Sequence, residues 1–408
     1  MSEAECWAVG VSNLLWLVLG VIVAALAFML SCAKGCKPVV ICQQGSAHCQ
    51  RILEECPALR NNYVPPMLWG WSGHLQTLLF AVLGRVLPRP PRGERHNLTV
   101  GDGSTVTYDL FEPQNTDREV MHTVLICPGI NNTSETDYIQ VVTHCMLQNG
   151  HRVVVFNHTG ALRNTPLTGA RIFTYGGTGD LTAVFNDLLK LFPGTRFIGL
   201  GYSMGAGILV RFLGEREERQ KHFVCAISIC QGYAIHKADR RLGSTFGHLY
   251  NTGIAKRQLK LIRFHQAHVL RRRSYGDASC EVQHDGHDSN GFALDSSRLQ
   301  LPDEERLWKA NNIQEIDEYY TRRVMGFKTV QDLHEWSSCA PMMNRIPSLP
   351  MLFINAKDDP IVSVQLHKFP IKYTGTVQSK RHLCQHGLRR PHGFLRGLVS
   401  AAKCNFLA

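Results

Sequence analysis

The stretch that most constrains the fold of this 408-residue chain is residues 197–205, Phe-Ile-Gly-Leu-Gly-Tyr-Ser-Met-Gly. An apolar run of strand character leads into the pattern Gly-x-Ser-x-Gly, and a segment of helical character follows it. A strand that turns sharply into a helix needs small residues on both sides of the tip, which Gly201 and Gly205 provide. The pattern therefore predicts that Ser203 is a nucleophile at this turn and that the Met204 amide can bind an oxyanion. The competing interpretation is that Ser203 only caps the following helix.

The sequence around this turn alternates between strand and helix patterns. Apolar runs predict buried strands at residues 123–127, 152–156, 197–200, 223–229 and 351–355. Helices are predicted at about 138–148 and 181–192, and an antiparallel hairpin at 95–112. This alternation predicts an α/β protein with a mostly parallel central sheet and helices on both faces. Between about 232 and 347 the pattern predicts helices but no strand, which we interpret as a helical cap over the site.

Residues that could complete a hydrolytic site follow the neighbouring strands. A nucleophilic serine needs a histidine to take its proton and an acid to orient that histidine, and in this architecture the acid follows a late strand. The run at 351–355 is followed by two aspartates and a proline, so Asp359 is the predicted acid and Asp358 the alternative. The loop after the strand at 123–127 is predicted to supply the second oxyanion donor, the Ile130 amide.

A long uncharged segment lies near the N-terminus. Residues 7–33 contain no acidic or basic side chain, and a helix over 9–31 would have the length that crosses a bilayer. Two glutamates precede the segment, so a transmembrane anchor fits better than a cleaved signal peptide, which carries positive charge there. Two lysines follow it, so the positive-inside rule predicts a cytoplasmic main domain. Residues 32–62 are predicted to form a linker and a first helix.

Motifs spread along the chain carry a family resemblance. They are Trp-Gly-Trp-Ser-Gly-His-Leu-Gln-Thr at 69–77, Asp-Leu-Phe-Glu-Pro at 109–113, Ile-Cys-Pro-Gly-Ile at 126–130, Asn-His-Thr-Gly-Ala-Leu at 157–162, Phe-Thr-Tyr-Gly at 173–176, Cys-Gln-Gly-Tyr at 230–233 and Asn-Ala-Lys-Asp-Asp-Pro at 355–360. Together they resemble the type-4 α/β-hydrolase family of membrane-anchored lipases. The resemblance implies an α/β-hydrolase fold over 63–379, hydrolysis of acylglycerol esters, and Ser203 and Asp359 in a catalytic triad. It also implies a type II anchor, which places the main domain outside or in the lumen, against the charge rule.

The chain departs from that family near its C-terminus. The family places its histidine in a Gly-Gly-His-x-Gly-Phe-x-Glu-Gly turn, whereas residues 389–397 read Arg-Arg-Pro-His-Gly-Phe-Leu-Arg-Gly. Codons can be chosen so that reading one base later yields Gly-Gly-His-Met-Gly-Phe-Phe-Glu-Gly. We therefore interpret residues 380–408 as an out-of-frame tail. If the tail is native, the last strand is weakened and His392 is the nearest substitute base, with His386 and His382 as alternatives.

The charge and cysteine content exclude some other classes. The formal net charge is +11, but residues 380–408 contribute six basic side chains and no acidic one, so the charge does not favour a nucleic-acid partner. The fourteen cysteines show no zinc-binding spacing, and most are predicted to be free and buried.

These features predict a membrane-anchored serine ester hydrolase of acylglycerols or related lipid esters. It would act through an acyl-enzyme at the plasma membrane or an endomembrane, without a metal or an organic cofactor. One alternative is an acyltransferase that passes the same acyl group to an alcohol. Another is a catalytically dead lipid-binding receptor or scaffold, which the missing Gly-Gly-His turn favours.

Overall fold

A nine-stranded sheet organises the residues that a computed structural model of this chain describes, which are 3–32, 37–42, 46–63, 69–70, 72–83, 89–114, 122–235, 245–270, 299–375 and 381–386. Its strands are β1 (Val39–Cys42), β2 (Glu94–Thr99), β3 (Thr105–Phe111), β4 (Thr123–Cys127), β5 (Arg152–Asn157), β6 (Phe197–Tyr202), β7 (Phe223–Ile229), β8 (Met351–Ala356) and β9 (Arg381–His386). The spatial order is β1-β9-β8-β7-β6-β4-β5-β3-β2. Strands β4 to β9 run parallel, and β1, β2 and β3 pair antiparallel at the two edges. The predicted α/β architecture with a mostly parallel sheet is confirmed.

Helices connect these strands. They are α1 (Glu3–Cys32), α2 (Ala47–Glu55), α3 (Pro57–Arg60), α4 (Gly73–Leu83), α5 (Asp137–Gln148), α6 (Gly179–Leu191), α7 (Met204–Glu215), α8 (Glu217–Gln220), α9 (Thr245–Phe264), α10 (Gln266–Val269), α11 (Glu304–Leu307), α12 (Ile313–Ile316), α13 (Arg322–Val324), α14 (Val330–Ser337) and α15 (Lys368–Gly375). A π-helical turn spans Asp317–Thr321, and 3₁₀ turns span Ala340–Arg345 and Val364–His367.

Successive residues of the central strands face opposite sides of the sheet, as the period of a strand requires. On β4, Val124 and Ile126 pack in one apolar cluster with α2, α3 and α5. Leu125, between them, packs in a second cluster with α6 and α7. All three side chains are fully buried, so β4 is covered on both faces. Such double burial explains why the parallel strands read as continuous apolar runs rather than as alternating ones.

The segment between β7 and β8 contains helices, and no strand occurs among its described residues. Helices α9, α11 and α12 and the π-helical turn build an apolar cluster around Leu261, Leu307 and Tyr320. Phe173 and Ile172, from the loop between β5 and α6, complete it. We call this the cap cluster. Helices thus occupy much of the described part of residues 232–347, and their role as a cap over the site stays a prediction.

The two ends of the chain contain strands that the sequence did not clearly predict. The region 32–62, predicted as a linker and a first helix, also contains β1, which pairs antiparallel with β9. A four-residue edge strand shows no local periodicity, and its partner lies at the other end of the chain. Strand β9 lies in the predicted out-of-frame tail, yet it forms with the written residues and runs parallel to β8 over Met351–Ala356. The frameshift itself stays a prediction, and reading the coding DNA would test it.

Helix α1 covers the predicted anchor at 9–31. Its described side chains, from 14 to 28, are exposed and include Leu17 and Trp16. Within the described part of the chain, none of the helices combines the length and apolarity required to cross a membrane. The structure therefore confirms a helix here but does not support the predicted transmembrane span.

Candidate active site

Ser203 lies at the sharp turn between β6 and α7. Its backbone has φ 49° and ψ −115°, a conformation that side-chain-bearing residues seldom adopt. Its N–H donates to the Ile229 carbonyl at 2.8 Å, and its carbonyl accepts from the Gly207 N–H at 3.2 Å. The Ser203 side chain makes no capping hydrogen bond to α7. The interpretation of Ser203 as a simple helix cap is therefore not supported, and backbone strain of this kind is characteristic of functional sites.

Two glycines permit this turn because neighbouring backbone leaves no room for a side chain. A Cβ on Gly201 would lie 2.4 Å from the Ala206 Cα. A Cβ on Gly205 would lie 2.2 Å from the carbonyl oxygens of both Cys127 and Pro128. The steric argument made from the sequence is thus met by specific contacts, and at Gly205 the contact is with the end of β4.

The loop after β4 passes directly beside the nucleophile. A Cβ built on Gly129 would lie 3.6 Å from the Ser203 Cβ, in ordinary van der Waals contact. Ile130 follows in this loop, and both Ile130 and Met204 pack against the cap cluster. Neither the Ile130 amide nor the Met204 amide has a hydrogen-bonding partner among the described residues. The two predicted oxyanion donors are thus unoccupied and lie in segments that meet at Ser203.

The side chains of Tyr138 and His158 hydrogen-bond to the backbone of this loop. The Tyr138 hydroxyl accepts the Gly129 N–H at 3.1 Å. The His158 Nε2 lies 2.8 Å from the Pro128 carbonyl oxygen, so this nitrogen carries the donated proton. Burial lowers the pKa of His158 to about 4, so the imidazole is neutral at neutral pH. Sequence reasoning missed both residues, since only the folded chain brings α5 and the end of β5 to this loop.

The predicted acid lies in the turn after β8. Asp359 is buried, and its Oδ1 accepts the backbone N–H groups of Ile361 at 2.8 Å and Val362 at 3.0 Å. No described residue hydrogen-bonds to its Oδ2, which leaves that oxygen for a histidine. Asp358 instead packs against the start of α4, where a Cβ on Gly73 would lie 2.9 Å from the Asp358 Oδ2. This arrangement favours Asp359 over Asp358 as the acid.

The predicted base, His392, lies outside the described residues. The backbone before it is described: His386 ends β9 and pairs with Ala356, the last residue of β8. Because parallel strands end at one edge of the sheet, the chain leaves β9 at the edge where Ser203 and Asp359 lie. His382 pairs with Leu352, further from that edge. The carboxyl end of β9 thus lies at the same edge of the sheet as Ser203 and Asp359.

Comparisons with known proteins agree with this architecture. A family profile described as alpha/beta hydrolase fold matches residues 122–374. This chain belongs to the α/β-hydrolase family.

The protein named monoacylglycerol lipase ABHD2 from Danio rerio is 36% identical over 324 residues, which are 78% of this chain and 71% of that protein. Abhydrolase domain-containing protein 2 from Drosophila melanogaster is 39% identical over 325 residues, which are 79% of this chain and 75% of that protein. Monoacylglycerol lipase ABHD2 from Homo sapiens is 35% identical over 335 residues, covering 80% and 73%. These relatives confirm the resemblance to this branch of the family.

Proposed function

We propose that this α/β hydrolase is a serine ester hydrolase that cleaves acylglycerols or related lipid esters. The observation that carries the proposal is the strained Ser203 turn with the Gly129 loop beside it, where two unoccupied amides converge. The buried Asp359 follows β8 at the same edge of the sheet. The substrate class comes from relatives that are named monoacylglycerol lipases.

In the proposed reaction, the Ser203 Oγ attacks the ester carbonyl while a histidine takes its proton. Asp359 orients that histidine through the oxygen not used by its own turn, and the amides of Ile130 and Met204 donate to the oxyanion. Collapse of the intermediate breaks the ester bond, and the histidine returns the proton to the departing alcohol. A water molecule then hydrolyses the acyl-enzyme and releases the fatty acid. In the chain as written, His392 is the proposed base.

The loop after β4 that contains Gly129 and Ile130, which we call the oxyanion loop, has apolar surroundings that suit an acyl chain. Ile130 and Met204 contact the cap cluster, whose members include Leu261, Phe173 and Tyr320. An acyl chain attached to a carbonyl at Ser203 can therefore lie against apolar side chains, which favours lipid esters over small polar ones.

Hydrolysis of a monoacylglycerol by the full-length chain tests this proposal. The Ser203→Ala variant is expected to lose hydrolysis and fluorophosphonate labelling by at least about 10⁴-fold, as removal of a triad nucleophile does. Ser104→Ala is a matched control, because this serine is fully buried and its Oγ has no partner among the described residues. Undiminished hydrolysis by Ser203→Ala would overturn the proposal. Transfer of the acyl group to an added alcohol would favour the acyltransferase, and a stable, lipid-binding but unlabelled protein would favour the binding-protein alternative.

We also propose that α1 attaches the chain to the plasma membrane or an endomembrane, with the hydrolase domain on the lumenal or outer side. The uncharged segment 7–33 and the exposed apolar side chains of α1 support attachment. Asn97 lies exposed on β2 in an Asn-Leu-Thr sequon, whereas Asn157, in a second sequon, is fully buried. A glycosidase-sensitive shift in mass that Asn97→Gln removes would support the lumenal orientation. Protein that remains in the soluble fraction would contradict attachment.

A further inference from the structure

A groove of about 340 Å³ opens beside the oxyanion loop. Its lining residues are Asn131, Ala161, Arg163, Arg257, Lys260 and Leu261. Three of these carry a positive charge and none is acidic, and the volume lies in the range usual for small-molecule sites. The polarity of the groove contrasts with the apolar cap cluster, which it adjoins through Leu261.

Within the part of the chain that the structure describes, the positive charges of the groove are not compensated by ion pairs. Arg257 and Lys260 lie three positions apart on α9, where like charges on one helical face repel each other. Arg163 approaches from the loop after β5. Among the described residues, no acidic side chain forms an ion pair with any of the three. An anion bound between them would relieve this repulsion and gain charge-assisted hydrogen bonds.

The groove reaches the oxyanion loop at Asn131. Asn131 directly follows Ile130, the proposed oxyanion donor, and has φ 58°. Its buried side-chain oxygen has no partner among the described residues, and rotation of the amide by half a turn would present N–H donors instead. Ile130 therefore packs against the apolar cap cluster, whereas the next residue, Asn131, lines the groove with the three cations.

We propose that the groove binds the phosphate of an anionic headgroup, so that the substrates include monoacylglycerol phosphates and similar phosphate-bearing lysolipids. This inference rests on the proposed function, because the ester that reacts is the one Ser203 attacks. The acyl chain lies along the cap cluster and the phosphate between Arg163, Arg257 and Lys260. Hydrolysis then consumes water and releases a fatty acid and glycerol 3-phosphate.

The test compares two esters with the same acyl chain, a monoacylglycerol and its 3-phosphate, in neutral detergent micelles. The measured quantity is the ratio of kcat/KM for the phosphate ester to kcat/KM for the neutral ester. The double variant Arg257→Gln/Lys260→Gln is expected to lower this ratio about tenfold or more, since each lost contact is a charge-assisted one. The matched control Lys256→Gln/Lys221→Gln removes the same charge from exposed positions outside the groove and should keep the ratio within about twofold.

Direct titration with glycerol 3-phosphate separates this inference from the proposed function, because it needs no catalysis. The double variant is expected to bind this probe about tenfold more weakly than the wild type and the control. If the double variant hydrolyses both esters with an unchanged ratio and binds the probe as the wild type does, the proposed anion site is wrong. The proposed hydrolase activity would not be affected by that result. If no ester is hydrolysed but the wild type still binds glycerol 3-phosphate more tightly than the double variant, the proposed hydrolase activity would be wrong and the anion site would be supported. An equal loss on both esters that grows with the anionic lipid content of vesicles would mean that the cations contact a membrane surface, which would also overturn the proposal.

Discussion

Ser203 and Asp359 lie at the same edge of the sheet, but the two parts of this edge are built in different ways. On the β4–β6 side, Ser203 is positioned by backbone contacts of nearby glycines, with Gly205 packed against the end of β4. On the β8–β9 side, Asp359, the proposed acid, is held by two amides of its own turn, and the proposed base, His392, comes after β9 in the sequence. The proposed nucleophile therefore depends on a short stretch of sequence, whereas the proposed base follows a strand that is distant in the sequence. A change in reading frame can remove the base and leave the nucleophile intact.

The largest expected effect tests whether the position of Ser203 depends on the close approach of Gly205 to the end of β4. Gly205→Ala would place a Cβ 2.2 Å from two carbonyl oxygens, so we expect loss of fluorophosphonate labelling and a fall of about 3 kcal/mol in the free energy of unfolding. The control is Gly207→Ala on the same helix, where a Cβ meets nothing within 4 Å. There the free energy of unfolding should rise by about 0.5–1 kcal/mol. Normal labelling of Gly205→Ala would show that the close approach is not required.

The next effect tests the base side. Replacing residues 389–397 with Gly-Gly-His-Met-Gly-Phe-Phe-Glu-Gly is expected to raise the rate of fluorophosphonate labelling at least about 100-fold, the usual contribution of a general base. The same replacement with alanine for its histidine should show no gain. If the chain as written already labels at the higher rate and His392→Ala abolishes labelling, then the tail supplies a working base and the contrast between the two halves disappears.

A smaller effect tests the support of the oxyanion loop. Tyr138→Phe keeps the ring but removes the acceptor for the Gly129 N–H, so kcat should fall about tenfold while KM is unchanged. Tyr202→Phe is a matched control, because its ring packs edge-on against Tyr138 at 5.1 Å and its hydroxyl has no partner among the described residues. Equal effects of the two variants would mean that the hydroxyl of Tyr138 does not position the loop.

The smallest effect concerns pH and stability. Burial lowers the pKa of His158 in the folded protein to about 4, below its ordinary value of about 6.5, so the unfolded chain binds the proton first as the pH falls. This contribution to stability is full above pH ~6.5 and is lost towards pH ~4. Melting temperatures of the wild type should therefore fall more steeply over this range than those of His158→Gln. His367, whose pKa burial also lowers to about 4, is common to both proteins and cancels in the difference.

A matched variant separates this effect from a general loss of charge. The comparison is His248→Gln, which makes the same replacement at an exposed histidine on α9. Parallel curves for the wild type and His158→Gln would show that His158 takes up its proton equally in the folded and unfolded protein.

Much of the fold could be predicted because each central strand can be recognised from its own apolar run. The apolar runs of β4 to β8 are buried on both faces, and their predicted bounds differ from those observed by at most a few residues. Strand β1 was missed because four edge residues show no periodicity and its partner, β9, is remote in the sequence. The supports Tyr138 and His158 were missed for a related reason, since each acts on a loop that reaches it only through the sheet.

The sequence by itself determined the α/β class, the place of Ser203 and the turn that carries Asp359. These follow from backbone sterics and burial that act over a few neighbouring residues. Only the tertiary structure decided that Asp358 packs against α4, that Tyr138 and His158 hold the oxyanion loop, and that three cations surround one groove. Such contacts join residues far apart in the chain, so their distances and burial exist only once the sheet and cap have assembled.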